Sequence, residues 1–177
     1  AEAIGMYGYT NSITQYFILF GCIGLNLYGQ REIAYHQNNN FERSKSFWEL
    51  FLIRVISISL FTIIFIVSLC RNDKYGFLFC IQILDIIASL VDISWFFQGM
   101  EDFKKIVVRN SCVKIIGVVL ILCLVNSPDD LWIYALIYSA TLFLGNLTMW
   151  LYMPKYLIRI SIRLCKPFRH LKPALVL

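Results

Sequence analysis

Gln82, Asp85, Ser89 and Asp92 lie in one apolar stretch, Gln82-Ile-Leu-Asp85-Ile-Ile-Ala-Ser89-Leu-Val-Asp92-Ile-Ser-Trp-Phe-Phe-Gln98, at spacings of three, four and three residues. On a helix this spacing puts all four on one face. Two carboxyl groups and two hydrogen-bonding groups on such a face suit a substrate or proton pathway. The stretch is long enough to cross a bilayer, and a carboxylate turned to lipid is expensive. The face must therefore look at other helices or at water, and the expectation is a membrane helix lining an interior polar site.

Arg54 sits inside a second apolar stretch. Counted from the cytoplasmic end assigned below, it lies roughly 10 Å deep, Asp92 roughly 8 Å and Asp85 roughly 18 Å, at 1.5 Å per residue. The matching depths predict an Arg54–Asp92 ion pair, while Asp85 has no cation at its level. Two readings of these residues are open, a substrate or proton pathway and a structural pair that fixes helix register. Asn146 and Asn26 read first as hydrogen-bonding glue between helices, with Asn146 also a candidate for ligand contact. Ser127-Pro128-Asp129-Asp130 fits a helix start, with a capping serine, proline at the first position and acids on the positive end of the dipole. His36 and His170 have no carboxylate or cysteine companions at ligand spacing and read as surface residues. The six cysteines are dispersed without a Cys-x-x-Cys pair, so neither a metal centre nor a cofactor site is expected.

These residues need elements to position them. Hydrophobic residues make up 59% of the chain and charged residues 15%, with mean hydropathy +0.67. A soluble domain sits nearer 45–50% apolar and about 25% charged. The composition implies an all-α membrane protein, a multi-span helical bundle. Five stretches approach the ~20 apolar residues that a span needs: 9–28, 47–69, 75–97, 106–125 and 131–153. The fourth spans only if Arg109 and Lys114 snorkel to the interface. Lys and Arg number thirteen in the segments 30–46, 98–114 and 154–173, against two in 70–74 and 126–130. The positive-inside rule puts the basic segments in the cytoplasm. Residues 154–177 read as a basic cytoplasmic linker leading to a next helix. Lys155, Arg159, Arg163 and Lys166, interleaved with Leu157, Ile158, Ile160, Ile162 and Leu164, form either an amphipathic helix on the membrane surface or a simple positive stop signal. The chain starts at Ala1 and stops in a new apolar run, Ala174-Leu-Val-Leu177, as a piece of a longer polytopic protein would.

Aromatic residues crowd the span ends, as interfacial belts do; Trp95 is additionally a candidate for stacking on a sugar. Gly21-x-x-Gly24-Leu-Asn…Gly29-Gln-Arg31-Glu32-Ile-Ala34 and Asp92-Ile-Ser-Trp95-Phe-Phe-Gln98-Gly99-Met-Glu101 resemble signatures of the oligosaccharide flippases. These are the O-antigen and capsule repeat-unit transporters of the multidrug/oligosaccharidyl-lipid/polysaccharide exporter superfamily. Arg109-Asn-Ser, Pro128-Asp129-Asp130-Leu and Pro154-Lys-Tyr156 follow in the same order, so the resemblance runs the length of the chain.

That resemblance implies part of one lobe of a two-lobe exporter, helices two to six of the first lobe, in the bacterial inner membrane. It implies alternating-access movement of undecaprenyl-diphosphate-linked oligosaccharide, with membrane lipids and a second lobe as partners and no nucleic acid. The implied pathway residues are Arg31, Arg54, Gln82, Asp85, Asp92, Trp95, Arg109, Lys114 and Asn146, none of them catalytic. Lys104 and Lys105 join Arg31, Arg109 and Lys114 at the cytoplasmic mouth. Asp85 and Asp92 would repel a diphosphate and suit sugar contact or proton coupling. The competing readings are a cation-coupled multidrug exporter, a membrane-embedded glycan polymerase or ligase, and a scaffold subunit. The short outer loops speak against the enzyme.

Overall fold

The computed structural model describes residues 2–22, 24–71, 73–161 and 166–176. Among the described residues there is no strand. The helices are α1 (Glu2–Gly21), α2 (Leu25–Tyr35), α3 (Asn40–Leu69), α4 (Gly76–Val91), α5 (Ser94–Gly99), α6 (Phe103–Leu124), α7 (Leu131–Trp150) and α8 (Leu171–Val176). Four segments are long and apolar enough to cross a membrane: Asn40–Leu69, Gly76–Gly99, Phe103–Leu124 and Leu131–Lys155. The chain is a multi-span, all-α membrane bundle. α1 has the length as well, about 30 Å, but it carries Asn11, Ser12 and Gln15 and is not among those four.

Two helices expected to be continuous are broken. The stretch 9–28 divides between α1 and α2, with Gly24 at the junction in the left-handed region (φ +67°). A Cβ on Gly24 would lie 1.7 Å from the carbonyl oxygen of Ala174, so the junction needs glycine for its φ and for the approach of α8. The stretch 75–97 divides between α4 and α5 because Asp92 leaves the helical region (ψ 111°). Its Oδ1 accepts from the Ser94 N–H at 3.0 Å and from the Ser94 hydroxyl at 2.5 Å. Such local side-chain capture of the backbone competes with helix continuation.

Other ends follow ordinary capping chemistry. Asn39 opens α3 by accepting from the N–H groups of Phe41 and Glu42 at 3.1 and 3.2 Å. Ser127 and Asp130 form a capping box around the 3₁₀ turn Pro128–Asp130, and Asp130 Oδ2 accepts from the N–H groups of Asn126 and Ser127 at 3.0 and 2.9 Å. Those bonds, with the Ser127 hydroxyl, hold the Asp130 carboxyl below the usual carboxylate range.

α4 lies at the centre, packed on α1, α3 and α7, while α6 reaches the bundle through α7 and α5. In their most apolar windows 44% of the α4 segment is buried but only 6% of α6, so α6 turns most of its surface away from the other helices described. The core at the α2–α5 crossing is aromatic: Phe47 stacks on Trp95 at 5.5 Å, with Phe96 edge-on at 5.4 Å. Gly29 makes this possible, since a Cβ there would lie 2.6 Å from the Trp95 ring.

The linker departs from the amphipathic helix among the described residues. Residues 157–161 form no helix; the Ile158 N–H donates to Ser44 Oγ at 3.0 Å and Arg43 Nη2 donates to the Tyr156 carbonyl at 2.5 Å. Backbone groups spent on α3 cannot close helical turns. Arg163, Ile162 and Leu164 lie outside the described residues.

His170 is buried rather than at the surface. Glu49, fully buried on α3, accepts from the Lys166 N–H at 2.6 Å and from Arg169 Nε at 2.9 Å, and its Oε2 lies 2.7 Å from His170 Nε2. The other ring nitrogen of His170 is 2.8 Å from the Tyr28 hydroxyl. A charge cluster of this kind clamps the linker to α2 and α3.

Candidate functional site

The break after α4 leaves its terminal carbonyls short of backbone partners inside the bundle, Ser89 keeping only a long bond from the Asp92 N–H at 3.4 Å, and each unsatisfied group there is costly. Side chains from two other helices supply them. Asn146 Nδ2 on α7 donates to the Ala88 carbonyl at 2.7 Å. Arg54 on α3 donates through Nε and Nη2 to the Ser89 carbonyl at 3.0 and 2.5 Å. Trp150 Nε1 donates to the Val91 carbonyl at 2.8 Å. A guanidinium at this end also meets the negative pole of the α4 dipole.

The predicted Arg54–Asp92 ion pair does not form. Arg54 instead reaches across to the first break, donating from Nη1 to Asn26 Oδ1 at 2.6 Å. Asp92 turns away with the Ser94 turn and lies 3.9 Å from Arg109 Nη2. Arg109 in turn hydrogen-bonds Asn146 Oδ1 and the Ser94 hydroxyl. Arg54 thus ties the α1–α2 break to the α4–α5 break, and among the described residues no carboxylate forms an ion pair with it.

Arg54, Ser89 and Asp92 line a groove of about 820 Å³ whose other polar walls are Asn11, Ser12 and Gln15 of α1 and Asn26 of α2. Its chemistry is one cation, Arg54, and one carboxylate, Asp92, that do not pair with each other, set among neutral hydrogen-bonding side chains and the apolar Ile18, Leu19 and Leu27. That arrangement suits a ligand with many hydroxyls, with Arg54 the one group in the groove that could meet a negative charge on it.

The other predicted residues divide. Gln82 does not face the groove; it is fully buried, its amide 2.8 Å from Thr14 Oγ1 and 3.0 Å from Thr10 Oγ1. Asp85 is buried with neither oxygen hydrogen-bonded, and the hydroxyls of Tyr7 and Ser139 are likewise buried without partners. Trp95 is 3% exposed in the aromatic core, so sugar stacking is excluded in this structure; the slot left by Gly29 draws the ring inward. Arg31 is exposed beside a separate cavity of about 650 Å³ that includes Gln98 and Glu101. Lys114 is exposed on α6, away from the groove. The face of Gln82, Asp85, Ser89 and Asp92 is therefore distributed over α1, α7, α3 and α6 rather than opening on one chamber.

Asn11, Ser12, Gln15 and Trp150 are the residues that sequence reasoning missed. Asn11 and Gln15 stand four apart beside Ser12, a polar helical stripe that was legible in the first span. Trp150 had no such signal, because an interfacial indole and a helix-capping indole look alike in sequence.

Residues 1–176 of the chain match the family described as "Polysaccharide biosynthesis protein". The chain belongs to the polysaccharide biosynthesis protein family. Two curated relatives are each named "Putative O-antigen transporter". One, from Shigella dysenteriae, is 28% identical over 130 residues, covering 72% of this chain and 31% of the relative. The other, from Escherichia coli strain K12, is 23% identical over 143 residues, covering 78% of this chain and 34% of the relative. The chain thus spans about a third of the length of these relatives. No solved structure matches it.

Proposed function

We propose that this member of the polysaccharide biosynthesis protein family is part of a transporter that moves a lipid-linked oligosaccharide across the bacterial inner membrane, for O-antigen or capsular polysaccharide synthesis. The observation that carries this reading is Arg54, a buried guanidinium without a carboxylate partner, set in a polar groove where two broken helices meet. Discontinuous helices at a polar site are characteristic of alternating-access carriers, because unwound backbone and helix ends supply both contacts and hinges.

A sugar repeat unit on an undecaprenyl diphosphate carrier offers both of the chemistries the groove can meet. Asn11, Ser12, Gln15 and Asn26 would bond hydroxyls, and Arg54 would meet phosphate oxygens. Asp92, engaged by Arg109 and Ser94, would repel the anion less than a free carboxylate. In this reading the groove faces a second lobe, and Asp85 with Tyr7 and Ser139 forms the place where a coupling proton or cation is taken up. The names of the relatives support the same class of cargo.

The test is complementation of a strain deleted for its own O-antigen flippase by the full-length gene. Restored surface polysaccharide, lost in Arg54→Gln at equal protein level in the membrane, is the expected result. Failure of the unaltered gene despite normal insertion would overturn the assignment.

A further inference from the structure

A second cavity, of about 620 Å³, lies between α6 and α7. Its body is apolar, formed by Val108, Cys112, Val113 and Ile116 of α6 and by Leu144 of α7. At one level the two helices touch: a Cβ on Gly145 would lie 2.2 Å from Val113 Cγ2. One end is cationic, with Lys104, Lys105 and Arg109 beside Asp102 and Tyr152.

The charges at that end are not all spent. Lys105 is engaged by Asp102 and by the Tyr156 hydroxyl. Lys104 is exposed, with no acidic partner among the described residues. Arg109, nine-tenths buried, is held through its Nη atoms by Asn146, Ser94 and Asp92, but its Nε–H has no acceptor.

We infer that this cavity is a binding site for a single anionic phospholipid of the cytoplasmic leaflet. Three observations agree on that occupant. α6 is the least buried of the four membrane-length segments, only 6% buried in its apolar window, which leaves the cavity open on the outside of the bundle. Its cationic end belongs to the basic, cytoplasmic side of the chain. From Lys104 to Ile116 the wall runs about 18 Å at 1.5 Å per residue, close to one leaflet of a ~30 Å hydrocarbon core. A phospholipid matches that length, with its phosphate at Lys104 and Arg109 and a chain against Cys112 and Ile116. A polyprenyl chain is far longer than the slot. The cavity shares no lining residue with the Arg54 groove, touching it only through the Arg109–Asp92 contact, and does not depend on what that groove transports.

The experiment is native mass spectrometry of the full-length protein, titrated with phosphatidylglycerol or phosphatidylcholine. Selective retention of phosphatidylglycerol is expected. Lys104→Ala should weaken it about five-fold, as the loss of one interfacial lysine implies. Cys112→Trp, which fills the slot from the lipid side, should abolish it, and Arg54→Gln should leave it unchanged. Equal retention of the two lipids, or full retention in Cys112→Trp, overturns the inference. So does displacement of phosphatidylglycerol by an equimolar polyprenyl phosphate, which would assign the cavity to the tail of the carrier lipid. Because Lys104 is exposed, its variant reports on binding even if the tryptophan variant is poorly folded.

Discussion

Arg54→Lys separates a clamp between two helix breaks from a mere buried charge. Arginine spans the gap because its fork serves both sides, with two donors on the Ser89 carbonyl and a third on Asn26 Oδ1. A lysine ammonium is a single point on a flexible stem and can serve one break but not both. Hydrogen bonds to charged groups contribute about 1.5–3 kcal/mol each. Losing the Asn26 bond and one of the two to Ser89, with partial recovery by the ammonium, gives a destabilisation of about 2–4 kcal/mol. Thermal unfolding of the full-length protein in detergent, followed by tryptophan fluorescence, measures it. A double-mutant cycle with Asn26→Ala then isolates the link, and a coupling above about 1 kcal/mol is expected for residues in direct contact. Unchanged unfolding in Arg54→Lys, or additive effects in the cycle, would refute the clamp.

Three further outcomes follow from other contacts. Asp85→Asn should leave unfolding unchanged or raise its temperature, since an unpartnered buried carboxyl group is costly, while reducing polysaccharide export in the complementation assay; equal export at equal protein level would remove Asp85 from the transport cycle. Glu49→Ala removes the acceptor shared by Lys166, Arg169 and His170 and should cost about 3–5 kcal/mol, with limited proteolysis cutting near residue 166 far faster than in the unaltered protein. The bond from Lys105, and then that from Tyr156, holds the Asp102 carboxyl below its ordinary value of 3.8. Its contribution is therefore present above that value and lost as pH falls through the lower, folded one. The unfolding-temperature gap between the unaltered protein and Asp102→Asn should accordingly persist at neutral pH and vanish in strong acid.

The amino-acid sequence alone settled the class of molecule. Apolar runs of bilayer length are a local sum, so the α3, α6 and α7 spans and the polar intrusions at Arg54, Asp85 and Asp92 were legible without coordinates. The Ser127–Asp130 cap was legible too, because its partners lie within three residues. Tertiary structure decided who meets whom. Arg54 and Asp92 match in depth, yet the Asx turn at Asp92 swings its carboxylate to Arg109 and exposes the Ser89 carbonyl that Arg54 takes instead. His170 left the surface because Glu49, 121 residues away, offered it a buried acceptor, and Trp95 left the interface because Gly29 lacks a side chain. Hydropathy and capping act over a few residues, whereas the choice of partner for a buried polar group depends on helix ends brought together from across the chain.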